Sequence, residues 1–263
     1  MKDWSQNDWR NVLVLDCEAS GAIRNKGHPF TPANKLVCVG TLWRGSYQHH
    51  WVEYGLDPYG PALGLLRGLL DKAQLIVGFN VKYDLHWLRR YLPDLSIDRL
   101  WDCQLAEFII QSQMASYNSL DDALLRYGFP PKIDVVRTEY WDKGIDTDAV
   151  PAAILSEYTE HDVRSTFEVF KKQHSLLQGN QRTLFDLHCD DLLVLQEMEF
   201  NGLKYDVEES LKLGEAVNAE LEQVKGELNE LVGRTDLNWN SGDHISCVLY
   251  GGSLSLPVRE RTE

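Results

Sequence analysis

The sequence predicts an α/β fold with a mixed sheet. A strand hairpin near the start is followed by short apolar runs that alternate with helical stretches, which is the pattern of a sheet covered by helices. The composition agrees. The 263 residues are 43% apolar and 25% charged, an ordinary globular balance for one large domain, or one domain and part of a second.

Each element has its own warrant. Residues 11–18 (Asn-Val-Leu-Val-Leu-Asp-Cys-Glu) form an apolar run of strand length that ends in acids. Residues 35–43 and 47–54 read as two further strands, joined by a turn at Arg44-Gly45-Ser46. Pro61 to Lys72 carries an apolar stripe at Leu63, Leu65, Leu66, Leu69 and Leu70, the period of a helix. Residues 75–79 are a fourth strand. Helices are expected over 83–91, ended by Pro93, and over 101–113, 119–127 and 150–177. Residues 130–144, opening on Pro130-Pro131, read as loop. Residues 179–182 (Gly-Asn-Gln-Arg) mark a domain boundary, so domains are expected at 1–180 and 186–263. The second begins with helices over 186–200 and 207–232, split by Asn201-Gly202. The turn-rich end, with Asn238-Trp239-Asn240-Ser241-Gly242, Gly251-Gly252 and Pro257, is expected to be loosely ordered.

Charge and cysteine content exclude several classes. The net charge is -14, from 26 basic and 40 acidic residues. Residues 186–263 hold 6 of the first and 17 of the second, so the acidity sits in the last third. A nucleic-acid binder is expected to carry a basic patch. That objection weakens where divalent cations reverse the sign of an acidic site. No run of 18 apolar residues suggests a membrane span, and Met1-Lys2-Asp3-Trp4-Ser5 has no apolar leader core. Five scattered cysteines without a C-x-x-C pattern indicate reduced thiols and a cytoplasmic setting.

Three sets of carboxylates invite a chemical reading. Asp16 and Glu18 are i and i+2 on a strand and so share a face. Two like charges this close raise each other's pKa unless a cation lies between them. The ordinary alternative is a strand that ends in solvent. Asn80 and Asp84 lie where a buried strand enters a helix. Here the ordinary alternative is an N-cap and a favourable charge on the helix dipole. On the 150–177 helix, with about 100° per residue and Leu155 at zero, Asp162 falls near about -20° and Tyr158 near about -60°, inside the apolar stripe. A carboxylate buried there needs a cation, a donor or a site. The alternatives are an aromatic core role for Tyr158 and a buried pair with an unseen Lys or Arg for Asp162. Taken together, the acids describe a two-metal phosphodiesterase site, with two ions about 3.5–4 Å apart clamping the attacking and leaving oxygens. Oxygen-only ligands suit Mg²⁺ or Mn²⁺, and a tyrosine hydroxyl can orient the attacking water.

At these residues the chain resembles a known family. Asp16-Cys17-Glu18, Asn80-Val81-Lys82-Tyr83-Asp84 and Tyr158-Thr159-Glu160-His161-Asp162 look like the three exonuclease motifs of the DEDDy group. Their spacing is similar to the 3′–5′ proofreading domain of family A, DNA polymerase I-like enzymes. Trp101 to Glu107 is similar to the segment after the second motif. Leu193 to Asp206 resembles the helix that opens the polymerase domain, and Asn238-Trp239-Asn240-Ser241 its later Asn-Ser turn.

The resemblance implies a ribonuclease H-like mixed five-stranded sheet flanked by helices, followed by a small helical segment. It implies Asp16, Glu18, Asp84 and Asp162 as ligands of two divalent cations, Mg²⁺ or Mn²⁺, with Asp16 shared by both ions and Tyr158 orienting the water. Asn80 would contact the substrate, and Ala22 or Ile23 is the nearest candidate for the family's apolar wedge. The loop from Ala19 to Asn34 is longer and more basic (Arg24, Lys26, His28) than in the bacterial enzymes. The expected product is a nucleoside 5′-monophosphate from a single-stranded DNA 3′ end. The expected layout is phage-type, with no 5′-nuclease domain before the chain and no polymerase carboxylates in it. A monomer is expected, partnered by the remaining polymerase body and acting in the cytoplasm, the host cell's if phage-encoded. Two other readings stand beside this: a stand-alone RNA exonuclease of the ribonuclease D type, and a non-catalytic module that binds DNA or braces a polymerase. Arg24-Lys26 and Arg89-Arg90 are candidate phosphate contacts with solvated faces as the alternative, and Trp43, Trp51, Trp87 and Trp101 are expected in the core.

Overall fold

The computed structural model describes residues 9–54, 62–114, 118–132 and 134–253. Pro61 and Pro257 lie outside the described residues. The chain divides into two compact units, Met1–Gly202 and Leu203–Glu263.

The first unit is built on a five-stranded sheet in the order β3-β2-β1-β4-β5. Its strands are β1 (Val12–Ala19), β2 (Leu36–Trp43), β3 (Ser46–Trp51), β4 (Leu75–Gly78) and β5 (Leu100–Asp102). β1 pairs antiparallel with β2 and parallel with β4. β2 pairs antiparallel with β3, and β4 parallel with β5. This is the mixed five-stranded sheet flanked by helices that was expected. The central place of β1 explains its unbroken apolar run Val12–Leu15, because a strand covered on both faces has no solvent side.

The helices of this unit are α1 (Ala22–Asn25), α2 (Ala62–Leu70), α3 (Val81–Tyr91), α4 (Cys103–Ile110), α5 (Leu120–Arg126), α6 (Val135–Glu139), α7 (Ala152–Leu176) and α8 (Gly179–Asn201). Asp16 sits opposite Gly40 on β2. A Cβ on Gly40 would lie 2.5 Å from Thr159 Cγ2 and 3.1 Å from Val163 Cγ2. That missing side chain lets α7 approach the sheet closely. Trp87 and Trp101 are fully buried, while Trp43 and Trp51 pack against the core from its margin.

Several boundaries differ from expectation, each for a local reason. The stretch read as helix from Trp101 begins as β5, and the helix starts at Cys103. Asp102 makes the handover, because its carboxylate accepts from the Gln104 and Leu105 amides at 2.8 and 3.0 Å. The segment read as loop after Pro131 contains α6, capped by the Asp134 side chain, and a 3₁₀ turn over Trp141–Lys143. β3 stops at Trp51, although the Val52 and Glu53 amides still donate to Val37 and Leu36 carbonyls. Residues 179–182 form the first turn of α8, which lies with the first unit. α8 is tied to α3 by Lys82 and His86 to Glu199 (2.6 and 2.9 Å) and by Arg89 to Gln196 and Glu197.

The second unit contains α9 (Val207–Val232) and α10 (Gly242–Tyr250), capped by the side chains of Asp206 and Ser241. The stretch expected to be loosely ordered therefore holds a nine-residue helix, with Ser241 supplying the start signal. Neither helix has a buried residue. Apolar side chains at Val207, Leu211, Val217, Leu221, Val224 and Leu231 of α9 are exposed.

Candidate active site

The acids gather where β4 turns away from β1. β4 pairs with β1 only as far as Val14. The chain then passes through Asn80, in the left-handed region at φ 61°, into α3. Asparagine tolerates that conformation better than most residues. Its exposed side chain does not cap the helix. Instead the Asp102 carboxylate accepts from the Val81 amide at 2.8 Å. One buried carboxylate thus fixes the starts of both α3 and α4.

Asp84 follows in the first turn of α3 and is 2% exposed. Its Oδ1 accepts from the Cys17 amide at 2.8 Å, a donor that the short β4 leaves free. Asp84 is thereby placed behind the strand residue that separates Asp16 from Glu18. From the other side α7 brings Tyr158 and Asp162, which are 7% and 6% exposed. One carboxylate oxygen from each of Asp16, Glu18 and Asp162 lies within 4.8 Å of the other two. Asp84 is not part of that close group.

The electrostatics are those of acids crowded without sufficient counter-charge. Burial, and then the Asp162 carboxylate, push Asp16 up to about 7. Glu18 and Asp84 are raised well above the carboxylate range, first by burial and then by Asp16. Burial also raises Asp162, against the opposing pull of Lys132. Burial and the Glu18 charge raise the Tyr158 phenol, which stays protonated.

The residue that the sequence reading did not single out is Lys132. Its Nζ donates to Asp162 Oδ2 at 3.1 Å and to the Tyr158 hydroxyl oxygen at 3.0 Å. The alternative of a buried ion pair for Asp162 is therefore realised in part. The pairing is incomplete: one ammonium faces the three clustered acids, and the buried Asp162 Oδ1 has no hydrogen-bond partner. An orphaned buried carboxylate oxygen beside two further carboxylates fits a divalent cation, and the donor set is all oxygen. The only signal in the sequence was the demand of a buried Asp162 for a cation, which does not say where that cation is.

Ala22 and Ile23 sit on α1, in the loop after the acid pair. The loop is pinned from two sides. Asp146 accepts from the Gly21 and Ala22 amides at 2.7 and 3.1 Å. The Gly27 carbonyl accepts from Tyr83 and Trp87, and the Pro29 and Thr31 carbonyls from Arg90. Ile23 is 40% exposed. Arg24 reaches Asp146, and Arg89 is held by α8.

A deep acid cluster at the end of the central strand, faced by a tyrosine, on a sheet of this topology defines a nuclease-type hydrolase of ribonuclease H-like fold. The chain belongs to the 3′–5′ exonuclease family, whose model matches residues 28–178. The matched span begins after Asp16 and Glu18, so those two residues rest on the geometry above. Among curated proteins, DNA polymerase I of Bacillus subtilis (strain 168) is 29% identical over 168 residues, covering 62% of this chain and 18% of that protein. The DNA polymerase of Bacillus phage SP01 is 24% identical over 231 residues, covering 78% and 24%. The chain thus spans about a quarter or less of the relatives it matches. Among solved structures, Brucella melitensis NrnC with bound Mg²⁺ superposes with a TM-score of 0.56 at 14% identity, over 75% of this chain and 89% of that one. The same protein bound to pGG gives 0.55. Among the described residues, no helix is long and apolar enough to cross a membrane.

Proposed function

We propose that this chain is a metal-dependent 3′–5′ exodeoxyribonuclease of the DEDDy group, the proofreading part of a family A, phage-type DNA polymerase. On this reading residues 1–180 are the nuclease and 186–263 the opening helices of the polymerase domain. The remaining polymerase body is the partner. The observation that carries the proposal is that a carboxylate oxygen from each of Asp16, Glu18 and Asp162 lies within 4.8 Å of the others, with Asp162 Oδ1 buried and unpartnered.

Asp16, Glu18, Asp84 and Asp162 would hold two divalent cations, Mg²⁺ or Mn²⁺, with Asp16 shared between them. When bound, the cations offset charge on the attacking and leaving oxygens and lower the pKa of water. The chain's own groups do the rest. Tyr158 stays protonated and donates its hydroxyl hydrogen bond to the attacking water. Asn80, Ala22 and Ile23 would contact the terminal nucleotides. The water oxygen bonds to phosphorus as the bond to the 3′ oxygen breaks in line, the proton lost by the water is balanced by one gained at the leaving 3′ hydroxyl, and a nucleoside 5′-monophosphate leaves.

The test is incubation with single-stranded DNA and Mg²⁺ or Mn²⁺. Mononucleotides should be released one by one from the 3′ end. Asp16→Ala and Asp162→Ala should each lower the rate on the order of 10³-fold or more, equivalent to several kcal/mol of lost charge stabilisation. Release that survives either change would overturn the proposal. Parallel RNA oligomers and the dinucleotide pGG test the rival reading of an RNA-directed enzyme, which preference for either of them would favour.

A further inference from the structure

We infer that Lys132 is a positioning residue of this site, which turns Tyr158 into a hydrogen-bond donor and makes Asp162 a one-oxygen ligand. The inference rests on the proposed nuclease function.

The loop delivers the ammonium by design of its backbone. Pro130 and Pro131 fix their own φ angles and limit the freedom of the approach. The Lys132 amide is then held by Asp121 Oδ1 at 3.0 Å, in the first turn of α5. From that anchor the side chain, 18% exposed, crosses to α7 and lies 5.0 Å from the Tyr158 ring centroid. Trp141 packs edge-on against the same ring, 6.2 Å away, so the phenol is confined between an ammonium and an indole.

The donor inventory then decides the geometry. An ammonium has three donors and no acceptor. The Tyr158 oxygen must therefore accept from Lys132, and its own O–H must point away from Nζ. With Lys132 in place, the Tyr158 O–H can only donate, to the Asp162 carboxylate it also interacts with or to the attacking water. The same logic divides Asp162. Oδ2 is engaged by Nζ at 3.1 Å, while Oδ1 is buried and unpartnered. A cation is thus offered one oxygen of this carboxylate, with a positive charge standing behind the other. Among the described residues, Lys132 is the only basic side chain within ion-pair distance of Asp16, Glu18, Asp84 or Asp162.

Two consequences of removing the charge run in opposite directions, which a merely structural role does not produce. In Lys132→Met, Mn²⁺ titrated alone by calorimetry should bind on the order of tenfold tighter, because the competing charge is gone. The kcat on single-stranded DNA should fall about 10²-fold, the scale of a misoriented reacting group, with KM changed less than about threefold. Lys132→Arg keeps the charge and should hold wild-type Mn²⁺ affinity with intermediate kcat, which separates loss of charge from misfolding. Unchanged or weaker Mn²⁺ binding in Lys132→Met, an unchanged kcat, or an arginine variant that behaves like the methionine one would each overturn the inference. If the wild-type protein releases no nucleotide, the nuclease proposal fails by itself, while the Mn²⁺ titrations still report on the ammonium.

Discussion

Replacing Gly40 with alanine should push the two halves of the candidate site apart. The added methyl carbon would stand 2.5 Å from Thr159 Cγ2, 3.1 Å from Val163 Cγ2 and 3.3 Å from Tyr47 Cε2. Carbon atoms rest at about 3.5–4.0 Å, so roughly 1 Å of displacement is needed. Thr159 cannot yield by rotating. It is β-branched and stiff at χ1, and its hydroxyl donates to the Leu155 carbonyl at 2.7 Å. The helix must move, carrying Tyr158 and Asp162, which flank Thr159, away from Asp16, the strand partner of Gly40. Overpacking of this kind costs about 1–3 kcal/mol, and a shift of about 1 Å in a reacting group costs about 10²-fold in rate. Urea unfolding and a 3′-end release assay measure the two effects. Gly64→Ala is the control. Gly64 is helical and a Cβ there meets nothing within 4 Å, so that change should stabilise by up to about 1 kcal/mol. Wild-type stability together with wild-type turnover in Gly40→Ala would show that α7 does not bear on β2 here, and the placement of the site residues would need revision.

Other expectations follow from the same contacts. Asp16 is raised from 3.8 to about 7 in the fold, so between those values the folded state binds more protons than the unfolded chain, and metal-free stability falls as pH rises. Asp16→Asn removes this load, so melting temperatures of the variant and the wild type, without metal, should diverge from pH 4 to pH 8 in favour of the variant; a constant gap counts against the cluster. Mg²⁺ or Mn²⁺ should raise the wild-type melting temperature at pH 8 and have a smaller effect on Asp16→Asn, a difference that chelator reverses. Asp102→Ala removes the acceptor for the Val81, Gln104 and Leu105 amides and should cost about 2–4 kcal/mol in denaturant unfolding. A loss below about 1 kcal/mol would mean that other groups cap α3 and α4.

The parts of the site that repeat with a local period were legible in the residues. Asp16 and Glu18 could be placed on one face because strands alternate, and Asp162 inside an apolar stripe because helices turn at a fixed angle. The apolar runs gave four of the five strands. β5 was absorbed into the helix that follows it, since three residues carry too little period to separate. What stayed hidden depends on partners far along the chain. Nothing near Pro131 says that Lys132 meets a helix 30 residues later. Nothing near Gly40 says that a helix will press on it. Asp146 gives no local sign of the amides of Gly21 and Ala22. The N-cap role that was the ordinary alternative for Asn80 is taken by Asp102, 22 residues away, because a buried carboxylate with several acceptor sites can serve two helix starts at once.

The Asp146 clamp bears on how freely the loop after β1 can shift. Its carboxylate engages the Gly21, Ala22 and Thr147 amides and the Arg24 guanidinium, so the tract after the first strand and the tract before the long helix are stapled into one piece of masonry. Bonds from amides to a charged carboxylate are worth about 1.5–3 kcal/mol each, and prising the lip open breaks two of them together. With those bonds made, the loop that follows the acid pair and the segment that leads into α7 shift together or not at all.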